Sequence, residues 1–409
     1  MFHKKMMLTV AMTAVGALAL AACGGGSDDS NGASSESAST INVLIGSSGD
    51  AETKAVTDAV AAWSTESGVK AKVSVASDIA QQLSQGFASG NPADVFYLTN
   101  DTIATYASNG SLDPFVEGLS NKDDFYPTIM DSFTYDGQVY AAPKDFSTLA
   151  LIINSDKWAA AGLTDADIPT SWDELSTVAA KLTTGDTVGL SISPEFARVG
   201  AFFAQNGGWL VDDKGAVTAD SPENVEALTY VQSLLTSGSM KYASEVGAGW
   251  GGEAFGTGAA AMTIEGNWIT GALTNTYPDV KYTVAELPAG PAGKGTMQFN
   301  GGWGIAADSQ NKDNATKLVE YLTQPTQQLT FATDFGVMPA VVSTADQWKT
   351  DNPALAPFIE GADYAKSIPN IVGIKDVIDE LNSQIQSLST GDPKTILEST
   401  QTNLESISK

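Results

Sequence analysis

The chain is short of the residues that most catalytic sites are built from. Its 409 residues include one cysteine, Cys23, one histidine, His3, and one arginine, Arg198. A single thiol allows no internal disulfide, so stability has to come from a packed core. His3 lies in an N-terminal stretch that reads as removable, and without it the chain has no imidazole at all. That excludes Ser-His-Asp and Cys-His nucleophiles and the nitrogen and sulfur ligands that zinc prefers. Oxygen-ligated metals and hydrolysis by paired carboxylates stay open. Basic residues are also scarce: 21 lysines and arginines face 48 acidic residues, for a net charge of −27. Such a field repels nucleic acid and anionic lipid surfaces, and no cluster of lysines interleaved with aromatics overrides it. Solubility at an exposed cell surface is reason enough for the acidity.

What is present begins with an address. Lys4 and Lys5 precede an apolar run from Leu8 to Leu20, and the run ends in Leu20-Ala21-Ala22-Cys23. Its 13 residues fall short of the roughly 20 that a spanning helix needs. The pattern predicts a lipoprotein signal peptide over 1–22, cleavage before Cys23 and lipidation of its thiol. An uncleaved membrane helix with an incidental cysteine is the alternative, but glycine, serine and aspartate follow at once. Removing 22 of 409 residues leaves 387, enough for two domains, and losing Lys4 and Lys5 moves the charge from −27 to −29. Residues 23–40 carry no side chain able to enter a core and read as a flexible tether.

From Ile41 onward short strands alternate with helices. Ile41 to Ile45 is an apolar run; Val56, Val60 and Trp63 recur at helical spacing; Val69, Ala71, Val73 and Val75 alternate as a strand; Ile79, Leu83 and Phe87 return to a helical beat. Gly90-Asn91-Pro92 breaks the chain before Val95 to Leu98. This β-α-β-α-β order predicts a parallel sheet covered on both faces, with ligands beyond the carboxyl ends of its strands, where Asn100 and Asp101 fall. A second alternation runs from Thr187 to Ile192 through a helix near Ser221 to Leu235 to strands at Ala259 to Ile264 and Lys281 to Glu286. Two helices around Gly391-Asp392-Pro393 close the chain. Two α/β lobes follow from this economy of elements.

Gly46-Ser47-Ser48-Gly49 follows a strand but lacks both the third glycine of a dinucleotide fingerprint and the Lys-Ser/Thr of a P-loop, which rejects nucleotide binding. Gly207-Gly208, Gly251-Gly252 and Gly301-Gly302 lie beside Trp209, Trp250 and Trp303. Glycine beside a large ring permits close backbone approach and lets the ring project into a cleft, although a tryptophan in an ordinary core fits equally well.

Several segments together resemble the extracellular solute-binding proteins of carbohydrate ABC importers, the maltose-binding-protein-like family. They are Gly90-Asn91-Pro92-Ala93-Asp94-Val95 with Ala107-Ser108-Asn109-Gly110-Ser111-Leu112; Asp136-Gly137 leading to Ala142-Pro143 and Leu149 to Asn154; Pro169-Thr170-Ser171-Trp172-Asp173-Glu174-Leu175; Phe255-Gly256-Thr257-Gly258-Ala259-Ala260-Ala261-Met262 with Gly266-Asn267-Trp268; Leu287-Pro288; Gly301-Gly302-Trp303-Gly304-Ile305; and Gly336-Val337-Met338-Pro339. The resemblance implies a type II periplasmic-binding-protein-like α/β fold with a ligand cleft between two lobes, each a sheet flanked by helices. Residues 41–146 and 303–345 would form the N-terminal lobe, and 147–302 and 346–409 the C-terminal lobe. The lobes would close over a sugar. By position, the resemblance makes Asp101 a sugar-hydroxyl ligand, Trp268 a stacking platform and Glu195 a polar contact. The crossing-strand glutamate of the family is Ser147 here, with Asp145 two residues earlier.

Neutral sugars present flat CH faces and hydroxyl edges, so a receptor needs aromatic platforms and paired hydrogen-bonding groups. The candidate ligand-binding set is Asn100, Asp101, Asp145, Glu195, Arg198, Trp250, Trp268 and Trp303, with Glu265 and Lys144 as further possibilities. Each has an ordinary alternative: Asp101 as a helix cap, Glu265 as an outward turn residue, Arg198 as a surface ion pair. The expectation is a monomeric, lipid-anchored binding component on the extracytoplasmic face of the membrane, with no cofactor or metal. It would take a neutral oligosaccharide, with an α-glucoside as one candidate, and hand it to a permease. A surface glycoside hydrolase using Asp101, Asp145 and Glu195 is the enzymatic alternative, and an adhesion lipoprotein without a small ligand is the structural one.

Overall fold

The computed structural model describes residues 40–212 and 214–408. The signal peptide expected over 1–22, the tether expected over 23–40 apart from its last residue, and the lipidation expected at Cys23 lie outside the described residues. Among the described residues, nine strands are three or more residues long: β1 (Ile41–Ile45), β2 (Ala71–Val75), β3 (Val95–Thr99), β4 (Ala141–Asn154), β5 (Val188–Ile192), β6 (Met240–Tyr242), β7 (Ala260–Gly266), β8 (Tyr282–Ala285) and β9 (Thr296–Ile305). Eight of them run in the order β2-β1-β3-β9-β4-β7-β5-β6, with β8 paired to β4 off this path.

The first β-α-β-α-β unit forms for the reasons its periodicity gives. The helix Asp50–Ser67 buries Val56, Val60 and Trp63 and stops at Gly68, whose φ of 72° suits only a residue without Cβ. The next helix, Ile79–Ser89, is capped by Asp78, which accepts from Gln81 N at 2.9 Å. The strands β2, β1 and β3 then pair in parallel. At the far end β7, β5 and β6 are parallel as well.

The middle of the sheet departs from the parallel expectation. Strand β9 is antiparallel to both β3 and β4, and β4 is antiparallel to β7 and β8. These are strands that cross from one half to the other rather than members of a βαβ unit, so no helical crossover dictates their direction. Strand β4 is 14 residues long and nearly all buried. Its Leu149, Leu151 and Ile153 enter one core cluster, while Phe146, Ala150 and Ile152 enter the other. Alternation along one strand therefore feeds two cores.

One core collects Ile41, Val43, Phe96, Trp303 and Phe331, the other Leu175, Phe202, Leu228, Met262 and Leu381. The proposed lobes, 41–146 with 303–345 and 147–302 with 346–409, share packing across their borders. Trp348, Phe358 and Ile359 join the first cluster, whereas Ile374, Leu397 and Leu404 from the two terminal helices join the second. Among the described residues no helix is long and apolar enough to cross a membrane.

Candidate functional site

A cavity of about 850 Å³ opens between the two cores. Its lining draws Ile79, Leu83, Tyr106 and Phe335 from the first cluster and Phe299 from the second, joined by Trp268. The carboxyl ends of β1 and β3 and the junction of the crossing strands form its floor, through Gly46, Thr99, Asp145, Ser147 and Asn300. This is where ligands of open α/β sheets bind.

The polar wall centres on Lys144. Its ammonium is buried, 3.2 Å from Glu52 Oε1, in contact with the Asp145 carboxylate and 4.4 Å from the centre of the Tyr97 ring. Tyr97 donates its hydroxyl to the same Glu52 Oε1 at 3.0 Å, and the other Glu52 oxygen accepts from Ser48 N and Ser48 Oγ, each at 2.7 Å. Burial works against the Glu52 charge, but Lys144 and the Ser48 hydrogen bonds outweigh it and hold the carboxyl below its ordinary range. Burial likewise opposes the Lys144 charge; Asp145, Tyr97 and Glu52 overcome it and raise the ammonium above its usual value. Burial next to the Glu52 and Asp145 carboxylates pushes the Tyr97 phenol up despite the attraction of Lys144. Two carboxylates therefore outnumber one ammonium, and no unpaired positive charge faces the cavity from this cluster. The β9–β4 register shifts between Gly301 and Gly302 and leaves Lys144 unpaired, while the missing side chain of Gly301 makes room for Asp145 opposite it: a Cβ there would stand 2.6 Å from Asp145 Oδ1.

The aromatic wall centres on Trp268, which is 39 % exposed, the most open tryptophan among the large exposed apolar residues. Its ring lies directly on Gly266, where a Cβ would come within 2.2 Å of the indole, and it makes a T-shaped contact with Phe299, ring centres 5.1 Å apart at 82°. The indole N–H donates to Glu265 Oε2 at 3.0 Å, and Arg198 Nη2 donates to the same oxygen at 2.7 Å. Glu265 is wholly buried, and that burial raises its pKa despite Arg198 and Trp268. The Gly336 carbonyl accepts from Asn267 Nδ2 at 3.1 Å and Asn267 N donates to Ser147 Oγ at 3.1 Å, tying this wall to the opposite one.

The residues expected from sequence divide sharply. Asp145 and Trp268 line the cavity. Glu195 and Arg198 sit behind Trp268: Arg198 Nη1 is 3.8 Å from Glu195 Oε2, and Glu195 is half-exposed at the start of the helix Phe196–Gln205. Neither reaches the cavity lining. Asn100 and Asp101 occupy a 3-10 turn just past β3, where their neighbours Thr99 and Thr102 line the cavity and they do not. Asp101 is exposed, and the helix Ile103–Ser108 that follows has no side-chain cap, so the capping alternative is also set aside. Trp250 folds over Gly252, whose Cβ would stand 2.1 Å from its ring, and packs against the first core away from the cavity. Trp303 is a correction. Its register opposite Tyr97 in the β3–β9 pair carries the ring into the core at 0 % exposure, 4.7 Å from the Tyr97 ring, where no ligand can stack on it. Sequence reasoning missed Glu52, Tyr97, Asn267, Phe299 and Phe335. Glu52 had one legible signal, a carboxylate in the first turn of a helix that follows a glycine-rich loop.

Residues 58–357 match the family described as bacterial extracellular solute-binding protein. The chain belongs to the bacterial extracellular solute-binding proteins. As such it is a non-catalytic binding protein, and the glycoside-hydrolase alternative falls with that assignment. This solute-binding protein is 25 % identical over 405 residues to the galactooligosaccharide-binding protein of Bacillus subtilis (strain 168), covering 93 % of this chain and 92 % of the relative. Among solved structures it is similar to the cyclic alpha-maltosyl-1,6-maltose binding protein from Arthrobacter globiformis, with a TM-score of 0.81 at 20 % identity, covering 91 % of this chain and 99 % of the other. It is also similar to UgpB from Mycobacterium tuberculosis in complex with glycerophosphocholine, with a TM-score of 0.74 at 20 % identity, covering 90 % and 98 %. These structures share the two-lobe α/β architecture with this solute-binding protein.

Proposed function

We propose that this protein is the substrate-capturing component of a carbohydrate ABC importer and that its ligand is a neutral oligosaccharide. One observation carries the reading: the cavity offers an open indole, Trp268, opposite a hydrogen-bonding wall whose only buried cation, Lys144, is already matched by Glu52 and Asp145. A stacking surface facing a hydrogen-bonding wall with no unpaired cation suits the flat CH faces and hydroxyl edges of sugars. An anionic group such as a phosphodiester would meet no unpaired cation on that wall and would face two carboxylates instead. The relative that binds galactooligosaccharide and the structural neighbour that binds a cyclic maltosyl sugar support the same class.

Anchoring at Cys23 belongs to the proposal as well. Cleavage after residue 22 and lipidation would hold the receptor on the extracytoplasmic face, close to the permease that receives the sugar. It would work there as a monomer, and closure of the lobes over the ligand would present the form a permease recognises.

Thermal-shift and titration measurements against a panel of α- and β-linked oligosaccharides, with glycerophosphocholine as the charged control, test the ligand class. A sugar at 100 times its dissociation constant should add about 2.7 kcal/mol of stability. Stabilisation by glycerophosphocholine alone would overturn the reading. Changing Cys23→Ala should move the protein from the membrane fraction to the soluble one.

A further inference from the structure

Given the cavity's role as a ligand site, we propose that Glu265, held in place by Arg198, is a positioning residue that fixes the ring plane of Trp268. The geometry is a short chain of command from the interior to the cavity. Arg198 is rooted on the helix Phe196–Gln205 and is buried. Its Nη2 holds Glu265 Oε2 at 2.7 Å, and the same oxygen takes the Trp268 indole N–H at 3.0 Å. The guanidinium carbon also lies 5.4 Å from the indole centre, so arginine and tryptophan pack against each other as well as sharing an acceptor. Glu265 Oε1 has no hydrogen-bond partner. The carboxylate's orientation is thus set by its two Oε2 bonds alone, and both serve the link from Arg198 to Trp268.

Stability gives little reason for such a pair. Two charges taken out of water repay their desolvation only with full hydrogen bonding, and well-packed apolar replacements of a whole pair are often neutral or better. Here one carboxylate oxygen goes unpaired, and so does Arg198 Nε. What the pair does accomplish is directional. Gly266 backs the indole and Phe299 meets it at 82°, but neither is a directional bond that holds one side-chain torsion against rotation toward solvent. The N–H bond to Glu265 removes that freedom. A platform already locked in its stacking pose loses less conformational freedom when a ligand lands on it.

The test pairs an indole readout with a binding readout on the mature soluble chain. The 1H–15N resonance of the Trp268 side chain, identified by its absence in Trp268→Phe, should be downfield and protected from exchange. In Glu265→Gln, which keeps an acceptor oxygen, protection and most of the affinity for maltotriose should survive. In Glu265→Leu protection should vanish and affinity should fall about tenfold or more, the scale of one hydrogen bond to a charged group. Because that variant leaves Arg198 buried and unpaired, Arg198→Leu combined with Glu265→Leu removes both charges and should show the same losses in a folded protein. An unchanged indole resonance with unchanged affinity in the folded double variant would overturn the positioning role. Wild-type protein that ignores every oligosaccharide would sink the sugar reading instead, and the indole resonance would still decide the role of Glu265.

Discussion

The indole of Trp268 and the ring of Phe299 form a T-shaped pair, centroids 5.1 Å apart and planes at 82°. The contact joins the end of β7 to the crossing strand β9, so the stacking face of the cavity is anchored to the strand that links the two cores. At 82° the two rings overlap less than a stacked pair would, and a stacked Phe299 would have covered a whole face of the indole.

Replacing Trp268 with alanine should weaken oligosaccharide binding by about 10- to 100-fold, as expected for an aromatic anchor in a pocket. The unfolding midpoint should barely move, because the ring is already partly in solvent. Gly266→Ala should produce a comparable loss by a different route, since its Cβ would stand 2.2 Å from the indole and push the ring off its seat. Calorimetric titration beside denaturant unfolding separates the two effects. Full affinity in Gly266→Ala would contradict this placement of Trp268.

The buried cluster around Lys144 should matter for stability more than for binding. Lys144→Met removes the ammonium and leaves Glu52 and Asp145 facing each other without compensation. Breaking a buried pair from one side costs about 3–5 kcal/mol. Urea unfolding should show a loss on that scale, and Lys144→Met combined with Glu52→Gln should recover part of it.

Two glutamates should leave opposite marks on the acid limb of the stability curve. The Glu52 pKa is lowered in the folded protein from the ordinary glutamate value of 4.5, so its contribution is present above that value and is lost as pH falls through the lowered one. Glu265 is raised above the same reference, so its contribution is fully present below 4.5 and is lost as pH rises through the raised value. Thermal midpoints measured from about pH 3 to 7 should therefore show a shallower acid loss in Glu52→Gln and a steeper one in Glu265→Gln. Parallel curves for both variants would refute the assignment.

Asn267 links the two walls of the cavity through its amide on the Gly336 carbonyl. Removing that hydrogen bond, worth about 0.5–1.5 kcal/mol, in Asn267→Ala should shift the unliganded protein toward a more open form. Small-angle scattering should record a larger radius of gyration without ligand, and a smaller one on adding a saturating sugar. A radius that ligand leaves unchanged would argue against closure.

Much of the scaffold was legible because hydrophobic period is a local property. Val56, Val60 and Trp63 announced a helix, Val69 to Val75 a strand, and the break at Gly391-Asp392-Pro393 separated two terminal helices that are found at Ile374–Ile385 and Pro393–Ile407. Trp268 entered the candidate set through the family resemblance of the Gly266-Asn267-Trp268 run, and only the structure shows its ring folded over Gly266 on the cavity wall. The polar wall was not. Lys144 and Glu52 are 92 residues apart and Tyr97 and Glu52 are 45 apart, and no local pattern links them. The three glycine-flanked tryptophans also looked alike in sequence, yet one is a core residue, because the pairing register of β9 against β3 decides which way Trp303 points.

The amino-acid sequence by itself therefore determined the elements, their order and the stock of side chains: a chain without catalytic imidazole or paired thiols, rich in acid, with indoles placed beside glycines. Only the tertiary structure decided which of those side chains share a cavity. Burial and charge pairing depend on how distant strands register against one another, and a carboxylate such as Glu52 acquires its partner only when β4 carries Lys144 across to meet it. Period is written in neighbouring residues, whereas a binding site is assembled from residues that only folding makes neighbours.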